Sequence, residues 1–102
     1  MPISGKRYRF TKANVDKSPK QTGVFALYDG DALIFIGRAT DDGMTIRSQL
    51  QDHQSGHAGN GTGKATHYRR EVTTASVSRE IELLAEYEAK FGGQPRDNVH
   101  VA

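Results

Sequence analysis

Two short apolar runs around an Asp-Gly step constrain the fold of this chain more than any other feature. Residues 23–27 read Gly-Val-Phe-Ala-Leu and residues 33–38 read Leu-Ile-Phe-Ile-Gly-Arg. Because glycine accepts the positive φ of a tight reversal, an Asp-Gly step between two β-prone runs predicts a hairpin. With a three-residue loop over 29–31, Tyr28 is expected opposite Ala32. Phe25 is then expected directly opposite Phe35, with both rings on one face of the sheet.

The chain after the hairpin predicts a helix, a strand and a longer helix. Thr45 is placed to cap the first helix, which ends near Ser55-Gly56, and residues 66–73 alternate as a half-exposed strand that we expect at an edge. The last helix follows residues 73–76 and stops at Gly92-Gly93. Its sheet-facing stripe is predicted from spacings of three and four to contain Val77, Ile81, Leu84, Tyr87 and Phe91.

The order strand, strand, helix, strand, helix predicts an α+β domain. We expect a small, three-stranded, mostly antiparallel sheet that starts with the N-terminal β-hairpin and is flanked by helices. Residues 1–102 are expected to form one domain, with a basic arm over 1–21 and a core over 22–98. Apolar residues in the arm, which include Tyr8, Phe10 and Val15, are expected to pack against the sheet.

Composition excludes several classes of protein. The 102 residues contain no cysteine, so a disulfide framework, a thiolate zinc site and a cysteine nucleophile are all excluded. No apolar stretch approaches the roughly 20 residues that span a bilayer, and the first residues lack the apolar region of a signal peptide. The expected location is therefore cytoplasmic, without a membrane partner.

Basic residues are concentrated at the start of the chain. The first 22 residues carry six basic side chains against Asp16 alone, whereas the net charge of the whole chain is only +2. A clustered basic arm favours polyanions through counterion release, and a solvated basic face is the alternative interpretation. The candidate nucleic-acid contacts are Lys6, Arg7 and Arg9, together with Lys64 in the glycine-rich stretch 57–64.

The hairpin motif resembles the signature of the GIY-YIG endonuclease superfamily. Gly23-Val24-Phe25 is followed ten residues later by Phe35-Ile36-Gly37 and a basic residue, and the similarity continues to Pro95-Arg-Asp-Asn98, over about residues 22–98. The resemblance implies metal-dependent hydrolysis of DNA phosphodiester bonds with Mg²⁺ or Mn²⁺. Both family tyrosines are phenylalanine here, and a phenyl ring can neither hydrogen-bond water nor release a proton.

The resemblance also implies roles for individual residues. Phe25 and Phe35 occupy the positions of the catalytic tyrosines, Arg38 and Arg47 would contact the scissile phosphate, and Asn98 would fix local backbone. In many relatives an arginine stands four residues before a position that matches His53, and here that residue is Gln49. Whether Arg47 or Gln49 takes the family position stays open. Tyr68 on the third predicted strand is a candidate to supply the missing hydroxyl.

Three glutamates on the last helix are candidates for the metal ligand. Counting back from Asn98 selects Glu86, whereas the pattern Glu-x-x-Leu-Leu-x-x-Tyr selects Glu80. On a helical wheel Glu80 lies within the predicted apolar stripe, while Glu86 points almost directly away from Leu84. We favour Glu80, because a carboxylate on an apolar stripe costs free energy unless a cation or donor compensates it. Glu82 and Glu86 are expected to face solvent.

A second function fits the same fold. A domain that has lost two hydroxyls, and with Gln49 an arginine, is also consistent with a non-catalytic nucleic-acid-binding or protein-interaction module. We expect no specificity domain beside the core within these 102 residues. Selection of a DNA target would therefore need a protein partner or a preference for DNA shape.

Overall fold

The Asp-Gly hairpin forms the middle of the molecule. The computed structural model describes residue 3 and residues 5–40, 43–56 and 62–98. Strand β2, Gly23–Asp29, pairs antiparallel with strand β3, Ala32–Ala39, through a two-residue turn. Gly30 takes a φ of +62° in that turn, which is the conformation that favours glycine.

The register of the hairpin differs from the sequence prediction. Asp29 pairs with Ala32 and Tyr28 with Leu33, and a bulge between Leu27 and Tyr28 leaves one extra residue in β3. Phe25 therefore lies opposite Gly37 and not opposite Phe35, which pairs with Leu27. The two rings are still neighbours on one face, because residues two apart along a strand point to the same side.

The sheet has four strands and not three. A short strand β1, Tyr8–Arg9, pairs antiparallel with strand β4, His67–Val72, which in turn pairs with β2. The strand order is β1-β4-β2-β3, so β4 is an interior strand and the expectation of an edge position was wrong. Only two residues of the basic arm make β1, which is too short a run to give a strand pattern in the sequence.

The two predicted helices end at the residues that the sequence indicates, whereas two shorter helical segments were not predicted. Thr45 caps helix α2, Ile46–Ser55, in a capping box with Ser48, and Gly56 ends it at a φ of +85°. The longest helix, Ser76–Phe91, ends at Gly92 with a φ of +83°. We number it α3, because helix α1, Lys12–Asp16, precedes α2 and is capped by Thr11. A single 3-10 turn covers Thr62–Lys64.

Apolar side chains pack on both faces of the sheet. One face is covered by α1 and α2 and buries Phe10, Val15, Phe25, Leu27, Ile46, Leu50 and Tyr68. This packing confirms that the apolar residues of the arm contact the sheet. The other face is covered by α3 and buries Val24, Ala26, Ile36 and Leu83. In the part of the chain that the structure describes, no helix has the length and apolar character to span a membrane.

Helix α3 is rotated about its axis relative to the predicted orientation. Leu83 is its most buried apolar side chain, whereas Val77, Ile81 and Phe91 are 46%, 61% and 62% exposed. The helix carries two overlapping apolar stripes, and a periodicity of three and four fits both of them. The sheet selects the stripe around Leu83, which leaves most of the predicted stripe in contact with solvent.

Candidate functional site

An aromatic cluster occupies the place where the hairpin meets α2. The ring centroids of Phe25 and Phe35 are 6.0 Å apart, and the His53 ring lies 5.4 Å from the first and 4.6 Å from the second. His53 is 4% exposed, and its Nδ1 lies 2.5 Å from the hydroxyl oxygen of Thr62. Phe25 is fully buried and Phe35 is half-buried. The cluster is therefore an apolar wall with one buried imidazole.

Gly37 allows the two phenyl rings to lie over the backbone of β3. A Cβ atom at this position would stand 2.6 Å from Cζ of Phe25 and 2.7 Å from Cε2 of Phe35. Real Cβ atoms do not approach other atoms so closely, so the rings occupy the space that a side chain would need. The glycine of the Phe35-Ile36-Gly37 motif is thus required by the packing of the motif's own aromatic residues.

Arg38 and Glu80 form an ion pair on the other face of β3. Nη1 of Arg38 lies 2.6 Å from Oε1 of Glu80, and the side chains are 43% and 15% exposed. Because strand residues alternate between faces, Arg38 points away from the Phe35 ring and towards α3. The helix therefore places a mostly buried carboxylate beside a solvent-accessible guanidinium at the edge strand of the sheet.

The other two candidate glutamates have different surroundings. Glu82 accepts a hydrogen bond from Arg79, which also donates to both oxygens of Glu71 at 2.7 and 3.1 Å. These contacts raise the pKa of Arg79, chiefly through the Glu71 hydrogen bonds. Glu86 is half-buried and lines a groove beside Arg69, so the expectation that it faces bulk solvent was wrong. The cause is the rotation of α3.

Arg47 and Gln49 both make contacts within the helical layer. Nε of Arg47 donates to the carbonyl of Ser18 at 2.7 Å, which ties α2 to the segment that follows α1. Nε2 of Gln49 lies 2.9 Å from the sulfur of Met44. Neither side chain is in contact with the Arg38–Glu80 pair through any hydrogen bond of the described residues.

Tyr68 cannot replace the hydroxyls that Phe25 and Phe35 lack. Its side chain is 1% exposed, and its hydroxyl lies 3.0 Å from the carbonyl of Asn14 and 3.0 Å from Oγ of Ser18. These contacts place the phenol under α1, where it holds that short helix against the sheet. The interpretation of Tyr68 as a substitute for a catalytic tyrosine was therefore wrong.

The candidate nucleic-acid contacts of the arm do not all lie at one place: Arg9 is at the edge of the sheet opposite β3, whereas Arg7 reaches the turn between β2 and β3. Arg9 belongs to β1, and β1 and β3 are the two outer strands. Arg7 pairs with Asp31 at 3.0 Å and also donates to the Gly30 carbonyl. Lys6 lies 5.5 Å from the centroid of the Tyr8 ring, and Lys64 is exposed at the end of the 3-10 turn.

A divalent cation would find one suitable ligand beside the edge strand. Within the described ranges no three His, Asp or Glu side chains come together as a metal cluster. Mg²⁺ does not need such a cluster, since it commonly keeps several waters and binds through one or two carboxylates. Glu80, which is 15% exposed and paired with Arg38, has the oxygen chemistry that such a cation prefers.

Comparison with known proteins identifies the fold. The sequence matches no protein-family model and no curated protein. The structure is similar to the GIY-YIG N-terminal endonuclease domain of UvrC from Thermotoga maritima bound to magnesium, with a TM-score of 0.63 and 19% identity over 86% of this chain and 94% of that chain. A tyrosine-to-phenylalanine point mutant of that domain gives a TM-score of 0.62 at 20% identity, over 86% of this chain and 94% of the mutant. The chain therefore has a GIY-YIG-like fold, as the hairpin motif predicts.

The sequence did not show that His53 belongs to the aromatic cluster. His53 is buried in α2 together with Ile46 and Leu50. The structure adds that its ring contacts both phenylalanines of the hairpin. The available signal was its position four residues after Gln49, which the resemblance already aligned with an active-site helix.

Proposed function

We propose that this chain is a metal-dependent endonuclease-type domain that acts on DNA with a low rate of phosphodiester cleavage. The observation that carries this proposal is the Arg38–Glu80 pair on a GIY-YIG-like fold: a mostly buried carboxylate with a solvent-accessible cation, 2.6 Å apart. Phosphodiester cleavage needs a ligand for a divalent cation and positive charge against the phosphate. Glu80 and Arg38 have the chemistry for these two roles.

The pair would change partners when DNA binds. Glu80 would hold Mg²⁺ or Mn²⁺, which when bound polarises a phosphate oxygen and acidifies a coordinated water. Arg38 would then turn from Glu80 to a phosphate oxygen, for which a guanidinium is well suited. Arg47 is the second candidate at the phosphate, and it would use the guanidinium nitrogens that do not hold Ser18.

The missing hydroxyls account for the low rate in this proposal. Phe25 and Phe35 pack on the opposite face of β3 from the Arg38–Glu80 pair, and a phenyl ring can neither orient a water molecule nor accept its proton. Solved structures of the UvrC domain include tyrosine-to-phenylalanine point mutants bound to the catalytic divalent cation. Those structures support the view that a phenylalanine at such a position is compatible with cation binding.

A plasmid-nicking assay with Mg²⁺ and with Mn²⁺ tests the proposal. Glu80→Gln should abolish nicking, whereas Glu82→Gln, on the same helix and 55% exposed, should leave it unchanged. Phe35→Tyr should raise the rate, because it restores a phenol at a half-buried position. Nicking that persists in Glu80→Gln would contradict the assignment of the metal ligand. Loss of nicking in both glutamate variants would also contradict it.

The second candidate is a non-catalytic nucleic-acid-binding module. The complete absence of phenols from the aromatic cluster of Phe25, Phe35 and His53 favours it. The same assay separates the two functions. If the wild-type chain and Phe35→Tyr both fail to nick DNA, yet the chain binds DNA with a salt-dependent affinity, the module is the correct function. Both candidate functions include a protein partner that would supply target specificity.

A further inference from the structure

A groove lies between the C-terminal half of α3 and the part of its sheet face that the helix does not cover. Its volume is about 770 Å³, which is within the range of about 300–1,000 Å³ typical of small-ligand sites. Leu33, Ile36 and Leu83 form an apolar floor, and Tyr87 and Phe91 form the wall on the helix side. The groove is thus large enough for a flat aromatic group.

The wall of the groove presents an aromatic surface to solvent. The rings of Tyr87 and Phe91 are 4.5 Å apart with an interplanar angle of 37°, and Phe91 is 62% exposed. An exposed phenyl ring beside a half-buried tyrosine offers a stacking surface that the rest of the described chain does not cover. Base stacking on such side chains contributes to the binding of unpaired nucleotides and tolerates any base.

Two basic side chains, Arg69 and Lys90, line the groove together with the Tyr28 ring and the Glu86 carboxylate. Arg69 and Arg7 lie 5.9 and 5.6 Å from the centroid of the Tyr28 ring, and Lys90 lies 5.4 Å from that of Phe91. Burial raises the pKa of the Tyr28 hydroxyl, partly opposed by the two arginines, so the phenol stays neutral at neutral pH. Glu86 in the wall disfavours an anion inside the groove. A neutral ring inside with its phosphate at the rim fits this arrangement.

We propose that this groove binds one unpaired nucleotide of a nucleic acid, with the base against Phe91 and Tyr87 and the phosphate at Arg69 and Lys90. The proposal rests on the nucleic-acid binding proposed above and adds the kind of DNA that is selected. Lys90 follows Glu80 by ten residues, which corresponds to about 15 Å along a helix. At about 3.4 Å per base pair, the unpaired nucleotide would lie about four base pairs from the phosphate that Arg38 would contact beside Glu80.

Fluorescence anisotropy with two labelled DNAs tests the groove. One is a fully paired duplex, and the other is the same duplex with a single extra 2-aminopurine nucleotide bulged from one strand. We expect the wild-type chain to bind the bulged DNA about tenfold more tightly and to quench the 2-aminopurine fluorescence by stacking. Phe91→Ala should remove both effects while leaving the affinity for the paired duplex unchanged.

One control variant lies on α3 outside the groove, and two further variants lie within the groove. Ile81→Ala removes an equally exposed apolar side chain of α3 that lies outside the groove, and it should behave as wild type. Phe91→Tyr keeps a ring and should retain the quenching, whereas Lys90→Gln should weaken binding of the bulged DNA without changing the helix. Phe91 and Lys90 are exposed, so these variants are expected to fold normally.

Three outcomes would overturn the proposal. Equal binding of both DNAs by the wild-type chain would exclude the groove and leave the proposed function intact. Failure to bind any DNA would exclude both. A dimer in sedimentation that Phe91→Ala dissociates and Ile81→Ala does not would assign the groove to a second copy of this chain.

Discussion

Asn98 bonds both backbone groups of Ile36 on the outer edge of the sheet. Its Oδ1 accepts a hydrogen bond from the Ile36 N–H at 2.8 Å, and its Nδ2 donates to the Ile36 carbonyl at 2.9 Å. The next edge position is also paired, because the N–H of Asp97 donates to the carbonyl of Ile34 at 2.8 Å. The segment after α3 therefore pairs three backbone groups on the outer edge of β3, and a side-chain amide suits this role because it carries both an acceptor and a donor.

Replacing Asn98 by alanine should lower the free energy of unfolding by about 2 kcal/mol, because two half-buried backbone groups lose their partners. Asn98→Asp keeps the acceptor for the Ile36 N–H but sets a carboxylate oxygen against the Ile36 carbonyl, so it should cost at least as much. Urea unfolding of the three proteins measures both differences. An alanine variant as stable as wild type would show that water satisfies Ile36 equally well.

Replacing Gly37 by alanine should lower the free energy of unfolding by about 2 kcal/mol, as expected for overpacking between two rings. Gly93→Ala is the matched control, since nothing lies within 4 Å of the Cβ atom that it adds. Thermal unfolding should show a lower midpoint for the first variant only. If both variants melt with wild type, the two phenyl rings can move aside and the close approach is not needed.

Tyr68→Phe should cost about 1–2 kcal/mol of stability, because the carbonyl of Asn14 loses a buried donor. DNA binding and any nicking should be unchanged in the folded variant, since the hydroxyl lies under α1. Tyr87→Phe removes a hydroxyl at a half-buried position of α3 and serves as the control for stability. Cleavage that disappears in folded Tyr68→Phe would contradict the structural role.

Acid should weaken the contact between α1 and α2 through Asp16. The Lys12 hydrogen bond, helped by that of Gln51 at 3.0 Å, holds the pKa of Asp16 below its ordinary value of 3.8. A lowered folded-state pKa means that the contribution is full above pH 3.8 and is lost as the pH falls through the folded value.

The free energy of unfolding of Asp16→Asn should therefore lie below that of wild type at pH 6, and the difference should shrink below pH 3.8. Asp52→Asn, which removes the same charge from the neighbouring helix α2, is the control. Urea unfolding at pH 6, 4 and 3 provides the comparison. A difference that grows on acidification has the wrong sign for this contact.

Local sequence signals were sufficient to predict the helix ends that carry a capping residue or a glycine. Thr45 and Gly56 bound α2, and Gly92 ends α3, because capping and positive φ are properties of single residues. The α+β class followed from the predicted order of the elements, and the GIY-YIG-like fold followed from the resemblance of the hairpin motif. The short strand β1 was missed, since its pairing with β4 depends on contacts about 60 residues apart.

Local patterns could not show which side of α3 faces the sheet, nor which residues of β2 and β3 lie opposite each other. Both Leu83 and Leu84 fit an apolar stripe, and only the shape of the sheet decides which of them is buried. Likewise, the Asp-Gly step fits a loop of two or three residues, and the bulge beside Leu27 shifts the pairing. Glu80 was placed beside the sheet by the wheel, but its pairing with Arg38 across 42 residues required the structure.

The bulge in the hairpin limits the sequence changes that the chain can accept. One additional residue in β3 lets Leu33 pack under α3 while Phe35 packs under α2, so the same ribbon serves two separate cores. A point substitution, such as phenylalanine for tyrosine, alters the chemistry of one position and leaves this division intact. Deleting a single residue from the ribbon would move the residues on one side of the deletion to the opposite face, and therefore to the wrong core. Chains with this fold should therefore accept substitutions in the β2–β3 hairpin but not insertions or deletions.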